Sequence, residues 1–250
     1  PGKINLRKWN KVVNSINNPK AEIDIAVVGK YVGLKDAYKS LTEALTHGGI
    51  ANDAKVNIHW IDSETIKNKK NMNKLKSMSG ILVPGGFGKR GAEGKILAIN
   101  FARINKIPYF GICFGMQLAV IEVARNMAKI KNANSSEISK TKNSVIGLMT
   151  EWEKDHKKFV RDNDSDYGGT MRLGSYPGLI KSGSLVHKIY KSINIKERHR
   201  HRYEVNTNFK KELEKHGLKF TGMSPDGLLP EIIELKNHPW FIGVQFHPEL

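Results

Sequence analysis

Apolar and polar positions fall in blocks along this chain, and the period of the pattern changes from block to block. Leu6, Trp9, Val13 and Ile16 recur at three- and four-residue spacing, which predicts a short amphipathic helix over 4–17, broken by Asn17-Asn18-Pro19-Lys20. The apolar run from Ile23 to Val28, stopped by Gly29, predicts a buried strand. A helix through Tyr38, Leu41, Ala44 and Leu45 follows, with Asp36 placed to cap it and Gly48-Gly49 to end it. Residues 56–61 and 80–83 are the next strands, and the latter stops at Pro84-Gly85-Gly86. A helix over 91–104, a strand over 107–112 and a helix over 114–128 complete the series. Strand and helix in strict turn predict an α/β fold, a doubly wound, mostly parallel sheet flanked by helices. Such sheets place their sites at the carboxyl ends of strands.

Beyond this series the pattern is less regular. Residues 129–144 and 153–169 are polar and read as loops, and the stretch from Lys154 to Asp166 reads as less ordered than its surroundings. From Arg202 on, 203–205, 218–220, 231–235 and 240–246 read as short strands. The 250 residues fit one large domain better than two, and no internal repeat is present.

Composition narrows the setting. No apolar run approaches the roughly 20 residues that span a bilayer, and Pro1-Gly2-Lys3-Ile4-Asn5 lacks a signal-peptide core. A lone cysteine makes no internal disulfide and no Cys-based zinc site, so a reducing, cytoplasmic setting and no metal are expected. The net charge of +17 raises the question of nucleic acid. The lysines, however, lie in Asn/Lys-rich stretches such as 66–71 and 129–142, and no helix-turn-helix, zinc-finger or aromatic RNA-binding pattern accompanies them. Neither nucleic acid nor membrane is expected as a partner.

Chemistry concentrates at three places. In Gly111-Ile112-Cys113-Phe114-Gly115 a cysteine stands between a strand and a helix with glycine two residues to either side, the thiol counterpart of a nucleophile elbow. The turn is so sharp that its flanking positions approach each other, and glycine avoids a Cβ clash there. The helix N-terminus behind Cys113 favours thiolate, and the Phe114 N–H points to where an oxyanion develops. A buried structural cysteine is the competing reading. In Gln245-Phe246-His247-Pro248-Glu249, Pro248 holds His247 extended, so Glu249 points the same way as His247 and can orient its imidazole. Cys113, His247 and Glu249 then serve as nucleophile, acid/base and orienter; a surface His-Pro turn is the alternative. The third place, Pro84-Gly85-Gly86-Phe87-Gly88, exposes backbone N–H groups suited to a second oxyanion donor. It is not a phosphate loop, since neither G-x-x-x-x-G-K-[ST] nor a strand-linked G-x-G-x-x-G occurs.

Together these elements resemble class I glutamine amidotransferases, and more narrowly the glutaminase domains of CTP synthases. The resemblance is carried by Gly29-Lys30-Tyr31-Val32, Asp36-Ala37-Tyr38-Lys39-Ser40, the glycine loop, Asn132-Ala133-Asn134-Ser135, Gly168 to Gly174, Glu197 to Asn206, Asn237 to Phe241 and Gln245 to Glu249. It implies a flavodoxin-like glutaminase domain over 21–250, entered by a connector helix over 1–20 from an amidoligase domain that this chain lacks. It implies hydrolysis of L-glutamine through a cysteinyl thioester, the ammonia passing to that other domain, where ATP and magnesium serve the amination of UTP to CTP in pyrimidine biosynthesis. No cofactor is implied in this domain. Carried over by motif, the oxyanion hole is Gly86 and Phe114, and the glutamine contacts are Gly86, Phe114, Gln117, Glu137 and Arg202. Gln117 lies one helical turn after Cys113; Arg202 suits the α-carboxylate and Glu137 the α-ammonium. GTP is the implied allosteric activator, at an element matching Arg90, Gly91 and Glu93. The full-length enzyme is expected to be a homo-oligomer, a tetramer. The family also continues beyond the position of Leu250, which leaves the Glu249 end of the triad open to fraying. Two other expectations compete: a glutaminase serving another amidotransferase, and a regulatory or interaction domain with little activity alone.

Overall fold

The computed structural model describes residues 4–30, 32–67, 69–148 and 171–250. The polar stretch at 153–169, including 154–166, lies outside the described residues, as do Tyr31 and 168–170 of the motifs above. The first half of the chain runs α1 (Arg7–Asn17), β1 (Ala21–Gly29), α2 (Lys39–Ala51), β2 (Ala54–Asp62), α3 (Lys69–Leu75), β3 (Gly80–Val83), α4 (Ala92–Asn105), β4 (Tyr109–Ile112) and α5 (Phe114–Asn126). Next come β5 (Asn134–Ser135), β6 (Ser144–Gly147), β7 (Arg172–Ile180), α6 (Leu185–Tyr190), β8 (Asn194–His201) and β9 (Glu204–Val205). The chain closes with α7 (Lys210–Lys215), β10 (Leu218–Met223), β11 (Pro230–Leu235) and β12 (Phe241–Val244).

Nine strands form the main sheet in the order β2-β1-β3-β4-β12-β11-β10-β7-β8. From β2 to β12 the neighbours are parallel, as the alternating pattern requires. From β12 to β8 they are antiparallel; this wing takes up the expected strands at 218–220 and 231–235 but also contains β7 and β8, which the pattern does not predict, while 203–205 joins the second sheet. A second sheet pairs β5, β6 and β9. β3 and β12 are buried throughout, because helices cover both faces where they lie. Alternate residues feed two apolar clusters: Ile81 and Val83 pack under α4 and α5, while Leu82 faces Leu41, Ile112 and Val244 on the other side. Helix α5 is buried from Phe114 to Ala124, which makes it a core helix rather than an amphipathic one.

Several expectations are corrected. Asp36 does not cap α2; it sits in a 3-10 turn over Lys35–Tyr38, and Tyr38 occupies the cap position without capping α2 through its side chain, whose hydroxyl donates to Lys30 O instead. Gly48-Gly49 does not end that helix, which continues to Ala51. Gly49 answers to packing instead: a Cβ there would meet the Ala54 carbonyl oxygen at 2.5 Å, and the left-handed residue that turns the chain is Asp53. Helix α1 forms as expected, but Leu6, Trp9, Val13 and Ile16 are exposed. Ser15 and Lys20 anchor its end by donating to Asp53 at 2.6 and 2.8 Å. Among the described residues no helix is long and apolar enough to cross a membrane.

Candidate active site

The turn between β4 and α5 is a single residue, Cys113, with φ 50° and ψ −102°. A non-glycine residue there is strained by about 1–3 kcal/mol and persists only where its surroundings enforce it. The enforcement is visible. A Cβ on Gly111 would meet the carbonyl carbon of Gly115 at 2.8 Å, and one on Gly115 would meet the Val83 oxygen at 2.1 Å. The two glycines flanking the cysteine touch each other's ground, as their spacing predicts.

The sheet brings the second fragment alongside. β4 and β12 are parallel neighbours with Ile112 opposite Val244, and Cys113 N donates to Val244 O at 2.7 Å. The chain past β12 therefore runs beside the elbow. His247 is held by its own N–H to Arg198 O (2.8 Å), and its Nδ1 lies 2.8 Å from Glu249 Oε1; the expected pair forms, but through a turn closed by Leu250 N to His247 O (3.2 Å) rather than an extended segment. Nε2 has no partner among the described residues. The imidazole packs against Gly85, where a Cβ would stand 2.8 Å from His247 Cε1. Gly85→Ala is accordingly expected to displace the ring and lower kcat for the site's reaction by about 10- to 100-fold, a cost typical of misplacing a reacting group by an ångström. Steady-state kinetics beside an unchanged melting temperature checks this.

Cys113 and His247 line one cleft of about 660 Å³ with Gly85, Gly86, Phe87, Gln117, Glu137, Arg202 and Tyr203. Of the residues singled out in the sequence, the structure brings Cys113, His247, Gly86, Gln117, Glu137 and Arg202 together there. Glu249 stands behind the imidazole, and the Phe114 N–H hydrogen-bonds the sulfur of Cys113. Glu137 Oε1 accepts from Gly88 N at 2.7 Å, which pins the glycine loop to the cleft wall. Arg90, Gly91 and Glu93 are not in the lining. Arg90 pairs with Glu64 through Nε and Nη2 (2.9 and 2.7 Å), Glu93 with Arg125 (2.9 Å), and Gly91 is the left-handed cap of α4.

Two contacts at the sulfur carry no mark in the sequence, the first from Cys113 Sγ to Arg200 O at 3.9 Å. Gln245 is fully buried; its Nε2 donates to Cys113 Sγ at 3.7 Å, and its Oε1 accepts from Gln117 Nε2 at 3.2 Å. Gln117 Nε2 also donates to Tyr203 O at 2.8 Å. Gln245 stands in the bend just past β12, so nothing in the period of the sequence marks it.

The electrostatics also correct an expectation. The helix N-terminus predicts a thiolate, yet burial pushes the Cys113 thiol up to about 12. The Phe114 N–H opposes this, while the nearby charges of Glu249, Glu204 and Glu137 add to it. The helix terminus acts in the expected direction, and desolvation outweighs it. Beneath the cleft Arg172 bridges Glu204 (3.3 Å) and Glu231 (2.8 Å). His199 and His201 lie 2.9 Å apart between them, and burial first, then Arg172, holds both well below the usual imidazole range. The basic run thus splits by strand period: along β8 the histidines point inward, while Arg198 and Arg200 face out.

An elbow cysteine and a carboxylate-paired histidine thus stand just past the ends of two adjacent parallel strands. The profile of glutamine amidotransferase class-I proteins matches residues 33–250, and the chain belongs to that family. Within it the similarity is to CTP synthases. The CTP synthase of Rhodopseudomonas palustris (strain BisA53) is 60% identical over 250 residues, spanning 100% of this chain and 46% of that protein. That of Pelagibacter ubique (strain HTCC1062) is 62% identical over 245 residues, 98% of this chain and 45% of the relative. The glutaminase domain of Trypanosoma brucei CTPS, solved with bound acivicin, superposes with a TM-score of 0.79 at 37% identity, covering 91% of this chain and 86% of that one. The chain spans about half the length of the curated relatives it matches.

Proposed function

We propose that the chain hydrolyses L-glutamine to glutamate and ammonia at Cys113, and that the ammonia serves the amination of UTP to CTP by a separate amidoligase domain. The observation that carries this is the meeting of Cys113 and the His247–Glu249 pair in one cleft at the ends of β4 and β12. The thiol gives its proton to His247 Nε2 as Sγ attacks the amide carbon. The resulting oxyanion is held by the N–H groups of Gly86 and Phe114. The imidazolium returns the proton to the departing nitrogen, ammonia leaves, and a γ-glutamyl thioester remains. Water, losing a proton to His247, then releases glutamate and restores the thiol. Glu249 holds the imidazole in one tautomer. Arg202 takes the α-carboxylate, Glu137 the α-ammonium, and Gln117 shapes the floor of the cleft.

In this reading residues 1–20 connect to the amidoligase domain, where ATP, UTP and magnesium bind, and the full-length enzyme is a homo-oligomer, a tetramer. GTP activates at the turn carrying Arg90, Gly91 and Glu93. A second reading, low activity in isolation, is favoured by the upward push that burial gives the thiol and by the ion pairs that hold Arg90 and Glu93 away from the cleft. One experiment addresses both. The chain is treated with an electrophilic glutamine analogue, with and without GTP, and the label is located by mass spectrometry. Labelling at Cys113 is expected, faster with GTP; labelling elsewhere would overturn the mechanism.

A further inference from the structure

Lys95 is a lysine in the wrong place for a structural residue. It lies on α4 with 1% of its surface exposed, and no carboxylate among the described residues pairs with it. Its Nζ stands 5.3 Å from the centroid of the Phe114 ring. A Cβ on Gly86 would lie 3.5 Å from that Nζ and 3.8 Å from Phe114 Cδ1. The ammonium is therefore packed between the two residues whose backbone N–H groups flank the oxyanion position. A buried, unpaired cation is destabilising, and packing alone would favour an apolar side chain of the same length.

The charged and titratable groups that Lys95 feels are two. Lys30, from the segment after β1, opposes its charge, and Cys113 is the one group that favours it. Burial, the largest cause, brings Lys95 down to about 7. Cys113 in turn faces Glu249, Glu204 and Glu137, all of which resist a negative sulfur. The site thus holds a cation without a counter-ion against Gly86 and Phe114, where negative charge must form in the reaction.

We propose that Lys95 is a positioning residue for the reaction at Cys113, a buried cation whose missing partner is the negative charge that forms on the sulfur and then on the oxygen between Gly86 and Phe114. The proposal rests on Cys113 as the nucleophile. In the free chain Lys95 is charged below neutrality and loses its proton above it; the arriving negative charge draws the proton back. An alkaline limb follows for kcat/KM, which reports groups of the free enzyme, and it belongs to Lys95, which must be charged.

The test compares Lys95→Met with the unaltered chain in three measurements: the pH profile of kcat/KM for glutamine, the rate of Cys113 alkylation by iodoacetamide at pH 8, and the melting temperature. The methionine variant is expected to lose the alkaline limb and to fall about tenfold in kcat/KM at neutral pH, the size of one pKa unit in stabilisation. Alkylation is expected to slow several-fold, and the melting temperature to hold or rise. An unchanged profile and alkylation rate beside a lowered melting temperature would overturn the proposal by making Lys95 a packing residue. If the methionine variant does not fold, Lys95→Gln and Lys95→Arg carry the same measurements, with recovery of the alkaline limb expected for arginine alone. Failure of all three to fold also overturns it. Alkylation needs no turnover, so a slowed alkylation without ammonia release from either chain sinks the glutaminase reading and leaves this one standing.

Discussion

Cys113→Ala is expected to lower ammonia release from glutamine by about a thousandfold or more, because a thiol acting in concert with a base cannot be replaced by binding alone. The fold should survive. The side chain is small, and the elbow is enforced by Gly111, Gly115 and the bond from Cys113 N to Val244 O. A finer expectation separates chemistry from architecture. At φ 50° alanine carries the same backbone strain as cysteine, whereas glycine is free of it. Cys113→Gly should be as inactive as the alanine variant and yet more stable, by about 1 kcal/mol in denaturant unfolding. Ammonia release that persists in both variants would remove the thiol from the mechanism. Equal stabilities would show that the elbow stores no strain.

Arg172→Met is expected to cost about 3–5 kcal/mol of stability, the usual result of taking one partner from a buried ion pair. Arg172 is 5% exposed and lies between Glu204 and Glu231, themselves 2% and 1% exposed. Burial already raises the Glu231 carboxyl above its ordinary value, with Arg172 the main opposing influence. Without the guanidinium that carboxyl rises further, and the pH dependence has a definite sign. Between the unfolded value, about 4.5, and the higher folded one, the native state binds more protons than the unfolded state, so stability falls as pH rises. The variant should therefore lose more at pH 7.5 than at pH 5, as read from urea unfolding at the two values. A loss equal at both would mean that the charge of Arg172 is not what matters. The damage should also reach catalysis, since β8 supplies the Arg198 oxygen that holds the His247 backbone.

The parallel half of the sheet was legible because its signals are local. Ile23 to Val28 and Gly80 to Val83 are apolar runs closed by glycine or proline, and a run of that kind has one economical fate in an α/β chain. The elbow and the His-Pro-Glu segment were legible for the same reason, since their geometry is set within five residues. The antiparallel wing was harder to read. β7 and β8 are only partly apolar, and the Arg/His alternation of β8 makes sense only once the inward histidines meet Arg172 and Glu231 from distant parts of the chain. The thiol's protonation was misjudged because a helix terminus is visible in sequence, whereas complete desolvation by neighbours is not. Lys95 was invisible for the same reason: among 41 lysines and arginines, nothing local marks one that tertiary packing will seal from water.

The upward push that burial gives the Cys113 thiol has a consequence for the durability of the chain. Oxidants attack thiolates, and a thiol held up to about 12 offers almost none to them at neutral pH. The only sulfhydryl of this protein should outlast peroxide exposure that would convert an activated cysteine to sulfenic or sulfinic acid. Its vulnerability should then follow occupancy, the sulfur becoming oxidisable in the same moments that it becomes useful.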